Sequence, residues 1–96
     1  MPTFAQTDRF RRDFSTLTAA QKAAVRVAAA KFVADLESGG FRPGLRVKGV
    51  QGAAAVFEMT WAEDGRATFE YGSRVREGGT HIGWRRIGAQ GILSRP

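Results

Sequence analysis

The spacing of the apolar residues changes at Pro43, and this change constrains the fold more than any other feature of the sequence. Before it, Val25, Ala29, Phe32 and Leu36 recur at the spacing of one helix face. After it, apolar and polar residues alternate, which is the pattern of a strand with one buried face. Because the helical part precedes the strands instead of alternating with them, the sequence predicts an α+β fold.

A short strand and a first helix are predicted at the amino terminus. Residues 1–6 form a plausible strand, and Thr7 is a candidate N-cap for the helix that follows. Phe10, Phe14 and Leu17 lie at helical spacing, so they share one face of this helix.

A second helix is predicted from Thr18 to Gly39. Thr18 and Gln21 have the spacing of a capping box, which starts a helix. Gly39 and Gly40, with Pro43 just beyond, have the chemistry of a helix end. Since few residues separate the two helices, they are expected to form an αα-hairpin.

The remainder of the chain predicts a mainly antiparallel sheet. Asp64 and Gly65 form a turn of the hairpin type, and a glycine-rich loop spans residues 72–80. We expect a single domain over residues 1–96, in which the N-terminal strand and the helical hairpin pack on a four-stranded sheet. The strands are predicted over residues 45–49, 54–61, 66–72 and 81–88.

Composition excludes several classes of site. The chain has no cysteine, so neither a disulfide framework nor thiolate chemistry is expected. With a single histidine, His81, a metal site is not expected either, and no cofactor motif is present. No apolar run approaches the length of a membrane span, and the first residues lack the apolar core of a signal peptide. A cytoplasmic protein is the expectation.

The charge of the chain favours a polyanionic partner. Fifteen lysines and arginines face nine acids, which gives a net charge of +6. No acid occurs between Glu37 and Glu58, whereas Arg42, Arg46 and Lys48 do. Such a patch suits phosphate groups, and arginine suits bidentate phosphate contacts. The alternative is a generally solvated, arginine-rich surface with no specific target.

From Arg42 onward the order of segments resembles the RelE/ParE toxin superfamily of type II toxin–antitoxin systems. The segments that carry the resemblance are GLRVKGV, AVFEMTW, DGRATFEY and HIGWRRIG. The resemblance implies a compact α+β domain and a cognate antitoxin protein as partner. RelE-like members cut mRNA on the ribosome without a metal. ParE-like members instead inhibit DNA gyrase, and an inactive RNA- or ribosome-binding relative is a further alternative.

The resemblance places Arg66 and Glu58 in a catalytic site. Arg66 matches the family's arginine after the turn and would clamp the phosphate, although it could also be a surface residue beside Asp64. Glu58 alternates with the apolar residues of its strand and therefore points away from the core face. It would be the general base for the 2′-hydroxyl, or else the partner of a cross-strand ion pair with Arg66.

Four further cations are candidates for RNA phosphate contacts. Arg46 and Lys48 would share one face of their strand, or would simply protect an edge strand by their charge. Arg85 and Arg86 have opposite parity, so only one of them is expected to face the site.

Position 90 departs from the family pattern. Many RelE-like relatives carry histidine or arginine there, followed by an aromatic residue that stacks on a base, whereas this chain has Gln90 and Leu93. An amide binds a phosphate oxygen but does not supply a proton, and losing a general acid typically costs ~10²–10⁴ in rate. We therefore expect an attenuated endoribonuclease, with Gln90 at the third catalytic position.

Overall fold

The computed structural model describes residues 3–72 and 80–96. The glycine-rich loop predicted over residues 72–80 lies outside the described residues except for its two ends. Short 3₁₀ helices at Pro43–Leu45 and Gln90–Ser94 complete the structure. The elements in chain order are β1 Thr3–Gln6, α1 Asp8–Ser15, α2 Ala19–Ser38, β2 Lys48–Gly49, β3 Phe57–Thr60, β4 Gly65–Gly72 and β5 His81–Ala89.

The strands form one sheet in the order β1-β5-β4-β3-β2. β1 runs parallel to β5, and every other neighbouring pair is antiparallel. The α+β class is confirmed, but the sheet has five strands where four were predicted. The difference arises because the N-terminal strand joins the sheet beside β5, where Thr3 aligns with His81 and Gln6 with Trp84.

The predicted helix ends are confirmed. The Thr7 hydroxyl accepts a hydrogen bond from the Phe10 amide, and this caps α1. Thr18 and Gln21 bond each other reciprocally at the start of α2. Gly39 ends α2 with φ +94°, a left-handed conformation that glycine adopts without steric cost.

One face of the sheet is covered by the two helices. Val25 and Phe32 of the predicted α2 stripe are buried, and Phe10 of α1 joins them. Phe32 is fully buried and packs edge-on against Phe69 of β4, with ring centroids 5.1 Å apart. Since the core residues of β3 and β4 alternate with polar ones, the polar set lies on the opposite face, which we call the open face.

The strand predicted over residues 45–49 is shorter than expected. Only Lys48 and Gly49 pair with β3, because Pro43–Leu45 forms a 3₁₀ helix that buries Leu45. Arg46 follows in the left-handed conformation, with φ +48°. The prediction that Arg46 and Lys48 share one face of a strand is therefore wrong.

Within the described residues, no helix is both long and apolar enough to cross a membrane.

Candidate functional site

A cavity of about 440 Å³ opens on the open face and brings four of the predicted site residues together. Arg66, Glu58, Gln90 and Lys48 come from four different parts of the chain. The complete lining is Lys48, Gly49, Val50, Gln51, Glu58, Arg66, Gln90 and Leu93.

Sheet register explains why these side chains meet. Lys48 of β2 aligns with Glu58 of β3. Arg66 of β4 aligns with Thr60 of β3 on one side and with Gly88 of β5 on the other. Two residues after Gly88 the chain leaves β5 and enters the C-terminal 3₁₀ helix at Gln90. The lining of the cavity thus comes from three strands, β2, β3 and β4, from the loop after β2 and from the 3₁₀ helix that follows β5.

Arg66 is held by the turn that precedes it. Its Nη1 donates to the carbonyl oxygens of Ala62, Glu63 and Gly65 at 3.4, 3.2 and 3.0 Å. Its Nε lies 3.8 Å from Oε1 of Glu58. Among the described residues, Nη2 has no hydrogen-bond partner. The guanidinium is therefore fixed along one edge and keeps donors available for a phosphate oxygen.

Glu58 is a buried carboxylate in loose contact with one cation. Its side chain is 7% exposed, and the distance of 3.8 Å to Arg66 exceeds that of a good charge-assisted hydrogen bond. The hydroxyl of Thr68, directly across from Glu58, is buried and also lacks a partner among the described residues. The Glu58 carboxylate therefore has few hydrogen-bond donors around it among the described residues.

The turn before Arg66 depends on a close approach between Trp61 and Gly65. The Trp61 amide donates to the Gly65 carbonyl at 3.1 Å, and the Gly65 amide donates to the Ala62 carbonyl at 3.0 Å. A Cβ at Gly65 would come within 2.5 Å of the Trp61 ring. Only glycine fits there, so this contact fixes the carbonyl groups that hold Arg66.

Arg46 lies away from this cavity. Its left-handed backbone turns the chain between the 3₁₀ helix and β2, and it lines a second cavity together with Lys31 and Arg42. The structure therefore places Arg46 outside the cavity that Lys48 lines.

Arg85 and Arg86 also lie outside the cavity, and each has a protein partner. Arg85 donates to Oε1 of Glu70 and to the Pro96 main-chain oxygen, both at 3.0 Å. Arg86 makes a bidentate pair with Asp13 of α1, with both distances at 2.9 Å. The guanidinium of Arg86 holds the pKa of Asp13 below its usual value. Both arginines connect elements of the fold.

Sequence reasoning did not single out Gln51, which lines the cavity, or Thr68, which lies across from Glu58 and outside the lining. Thr68 has the same strand parity as Arg66 and Glu70, so alternation alone could have placed it on the open face. Gln51 follows β2 in an irregular segment, where no periodic signal exists. Over residues 3–72 and 80–96, no group of three or more histidine, aspartate and glutamate residues is placed to hold a metal ion.

Comparison with solved structures identifies the fold. The toxin–antitoxin complex DinJ–YafQ of E. coli contains a chain that matches with a TM-score of 0.69 at 10% identity, over 96% of both chains. The RelB–RelE complex of Methanococcus jannaschii matches with a TM-score of 0.63 at 11% identity, over 94% of both chains. This chain has the fold of RelE-like toxins.

A metal-bound toxin from Helicobacter pylori also shares this RelE-like fold, with a TM-score of 0.63 at 14% identity, over 97% of this chain and 99% of that one. The sequence matches no protein-family model and no curated protein. At these identities the likeness establishes the architecture alone.

Proposed function

We propose that this chain is the toxin of a type II toxin–antitoxin system and that it cleaves mRNA on the ribosome, at a reduced rate. One observation carries the proposal. Arg66, Glu58 and Gln90 line a single cavity with Lys48, on the open face of a RelE-like fold.

The proposed reaction uses the RNA as its own nucleophile. The 2′-oxygen attacks the adjacent phosphorus while the bond from phosphorus to the 5′-oxygen breaks, which leaves a 2′,3′-cyclic phosphate and a 5′-hydroxyl. Glu58 accepts the proton of the 2′-hydroxyl. Arg66 stabilises the charge that develops on the non-bridging oxygens, and Lys48 holds a flanking phosphate. None of these steps requires a metal or a cofactor.

The proposed reaction lacks a general acid for the departing 5′-oxygen. Gln90 can donate an N–H hydrogen bond to a phosphate oxygen but has no proton to transfer at neutral pH. A solvent molecule would then protonate the leaving group, at a cost of ~10²–10⁴ in rate relative to a positioned acid. Leu93 supplies an apolar wall in place of a stacking ring.

The proposed partners follow from the same assignment. A cognate antitoxin protein would neutralise the toxin, and mRNA on the ribosome would be its target in the cytoplasm. The net charge of +6 suits the phosphate-rich surface of a ribosome.

Gln90 also favours a second candidate function. A chain with the same cavity and no general acid could bind ribosomal or messenger RNA and block translation without cutting. Both candidates predict growth arrest, and they differ in whether new RNA ends form.

Controlled expression in a bacterial host, with sequencing of RNA 5′ ends, tests the proposal. We expect growth arrest, new 5′-hydroxyl ends within translated regions, and loss of both in the Arg66→Ala variant at equal protein level. The Arg12→Ala variant is the matched control, because Arg12 is exposed and outside the cavity. Arrest with intact mRNA would support the binding function, and arrest with relaxed plasmid DNA would indicate gyrase inhibition.

A further inference from the structure

Strand β5 contains one extra residue, Arg85, relative to its partner β4. Thr68 of β4 aligns with Arg86 of β5. The next residue of β4, Phe69, aligns with Trp84, so no residue of β4 lies directly opposite Arg85. An extra residue of this kind forms a β-bulge, and bulges beside active sites commonly change the direction of a side chain.

The bulge determines which face the end of β5 presents. In an uninterrupted antiparallel ladder, Ile87 would lie opposite Arg66. With the extra residue, Gly88 aligns with Arg66 and Ile87 aligns with Ala67. Because a shift of one residue exchanges the two faces of a strand, Ile87 enters the core and Gly88 lies on the open face. The chain therefore leaves β5 beside Arg66, and Gln90 lines the same cavity.

Residues 90–96, which we call the distal segment, pack on the open face after this point. A Cβ at Gly88 would lie 3.1 Å from Cγ2 of Ile92, so the Ile92 side chain rests directly on the Gly88 backbone. The 3₁₀ helix of the distal segment contacts both β4 and β5. The segment contributes Gln90 and Leu93 to the lining of the cavity, so its position decides where these side chains lie.

The side chain of Arg85 joins the distal segment to the sheet. Its Nη1 donates to Oε1 of Glu70, and its Nε donates to the main-chain oxygen of Pro96, both at 3.0 Å. Among the residues that the structure describes, the bond to Pro96 is the one hydrogen bond between the distal segment and the rest of the chain. Since the planar guanidinium holds two acceptors in a fixed geometry, Arg85 fixes the far end of the segment relative to β4.

These contacts are too exposed to contribute much to the stability of the fold. The side chains of Arg85 and Glu70 are 36% and 47% exposed, and exposed ion pairs stabilise proteins little. Loss of the Arg85 side chain should therefore leave the core folded and change mainly the placement of the distal segment.

We propose that Arg85 is a positioning residue, which holds the distal segment so that Gln90 lines the cavity beside Arg66. Arg85 acts through Gln90 and does not contact the RNA. A direct phosphate contact suits Arg85 less well, because Glu70 neutralises its charge and Arg85 lies outside the cavity. The inference deepens the proposed function, and it rests on that function for the reaction in which Gln90 takes part.

NMR relaxation of the ¹⁵N-labelled full chain tests the positioning directly. We expect Arg85→Ala to lower the heteronuclear NOE of the amides in residues 91–95 and to shift the side-chain amide resonances of Gln90, with unchanged NOE values in α2 and β4. Arg95→Ala is the matched control, because it removes the same charge and the Arg95 side chain has no hydrogen bond among the described residues. A distal segment that is as ordered in Arg85→Ala as in the wild type would overturn the proposal.

Single-turnover cleavage on programmed ribosomes tests whether Arg85 acts through Gln90. Arg85→Ala should lower the rate at saturating ribosomes ~10-fold and leave the half-saturating concentration within ~2-fold, because positioning affects the reaction and not the encounter. In a Gln90→Ala background the same substitution should change the rate less than ~2-fold, since the residue that it positions is already absent. Arg95→Ala should leave the rate within ~2-fold of the wild type, because it changes only an exposed charge.

Two kinetic results would contradict the positioning role. Losses that multiply in the double variant would show that Arg85 and Gln90 act independently. A loss in affinity without a loss in rate would indicate that Arg85 binds a phosphate itself.

Failure of the proposed function would look different from failure of this inference. If the wild-type chain cleaves no RNA on programmed ribosomes, the nuclease assignment is contradicted, and the NMR comparison alone decides whether Arg85 positions Gln90. If the wild-type chain cleaves RNA and Arg85→Ala matches it in rate and in the order of the distal segment, the nuclease assignment stands and the positioning role is wrong.

Discussion

Glu58 of β3 and Arg66 of β4 are diagonal neighbours on the open face, with 3.8 Å between Oε1 and Nε and with both side chains at most 10% exposed. A buried pair at this distance gains little from hydrogen bonding. Each charge would nevertheless destabilise the folded state if it were buried without the other. The geometry suits a site in which a phosphate oxygen accepts hydrogen bonds from the donors of Arg66 that the turn leaves unused.

Replacement of Arg66 should destabilise the fold through the charge it leaves behind. Arg66→Ala removes the donor to the turn carbonyl groups and strands the Glu58 carboxylate, so we expect a loss of ~2–4 kcal/mol in the free energy of unfolding. Urea denaturation at pH 7 measures this loss.

A second substitution distinguishes the loss of the donor to the turn carbonyl groups from the effect of the unpaired Glu58 carboxylate. Adding Glu58→Gln to Arg66→Ala removes the unpaired charge and should restore ~1–2 kcal/mol of the free energy of unfolding. An unchanged or lower stability of the double variant would show that Glu58 and Arg66 are not coupled.

Gln90→His should increase RNA cleavage. An imidazole at this position supplies the proton that the amide lacks, and we expect a rise of at least ~10-fold in the single-turnover rate on programmed ribosomes, with loss of the gain above pH ~7. Gln90→Asn is the control, because it keeps an amide and should leave the rate low. An equal rate for all three proteins would remove position 90 from the chemistry.

Lys48 and Arg86 should respond differently when neutralised, although each substitution removes one positive charge. Lys48→Ala should weaken RNA binding and lower the salt dependence of the affinity, since Lys48 lines the cavity. Arg86→Gln should mainly lower stability, by ~1–3 kcal/mol, because it breaks the bidentate pair with Asp13. Filter binding at several salt concentrations and thermal unfolding check the two effects, and the reverse pattern would contradict the assignment.

Gly65→Ala should disrupt the turn that supports Arg66. The new methyl group would overlap the Trp61 ring, and overpacking of this kind typically costs about 1–3 kcal/mol. Gly40→Ala is the matched control, because no atom lies within 4 Å of a Cβ there. If the midpoint temperature of thermal unfolding changes by the same small amount in both variants, the close approach at Gly65 does not determine the conformation of the turn.

Asp35 should make the fold sensitive to acid. The Arg42 side chain and amide bond its carboxylate and lower the pKa of Asp35 from 3.8 to about 2. A lowered pKa means that the charged form stabilises the folded state above pH ~4, and that this stabilisation disappears as the pH falls towards 2. Asp35→Asn should therefore have a lower urea midpoint at pH 7, and the two midpoints should converge near pH 2. A constant difference between the two urea midpoints from pH 7 to pH 2 would contradict a stabilising role for the Asp35 charge.

The helices and the positions of β3, β4 and β5 could be predicted because local chemistry determines them. Thr18 with Gln21 set the start of α2, and Gly39 set its end, independently of what either packs against. Strand parity likewise placed Glu58 on the face opposite the core. In each case the informative residues lie within a few positions of one another in the chain.

The partners of the arginines could not be predicted, since they depend on contacts distant in sequence. Arg86 meets Asp13 across 73 positions, and nothing near Arg86 in the sequence indicates that pairing. The predicted strand position of Arg46 is wrong for a local reason. Arg46 has a left-handed backbone, which is uncommon at a non-glycine residue, and the alternation of apolar and polar residues does not indicate it. Gln90 was placed by resemblance, and the structure puts it in the cavity with Arg66.

Cleavage of a defined mRNA on purified ribosomes tests the proposed nuclease activity, in comparison with a transcript that carries a single 2′-deoxynucleotide at the cut site. We expect slow cleavage of the all-ribose transcript with a 2′,3′-cyclic phosphate end, faster cleavage by the Gln90→His variant, and no cleavage of the deoxy-substituted transcript by either protein. Equal cutting of both transcripts, or no cutting by either protein, would contradict it.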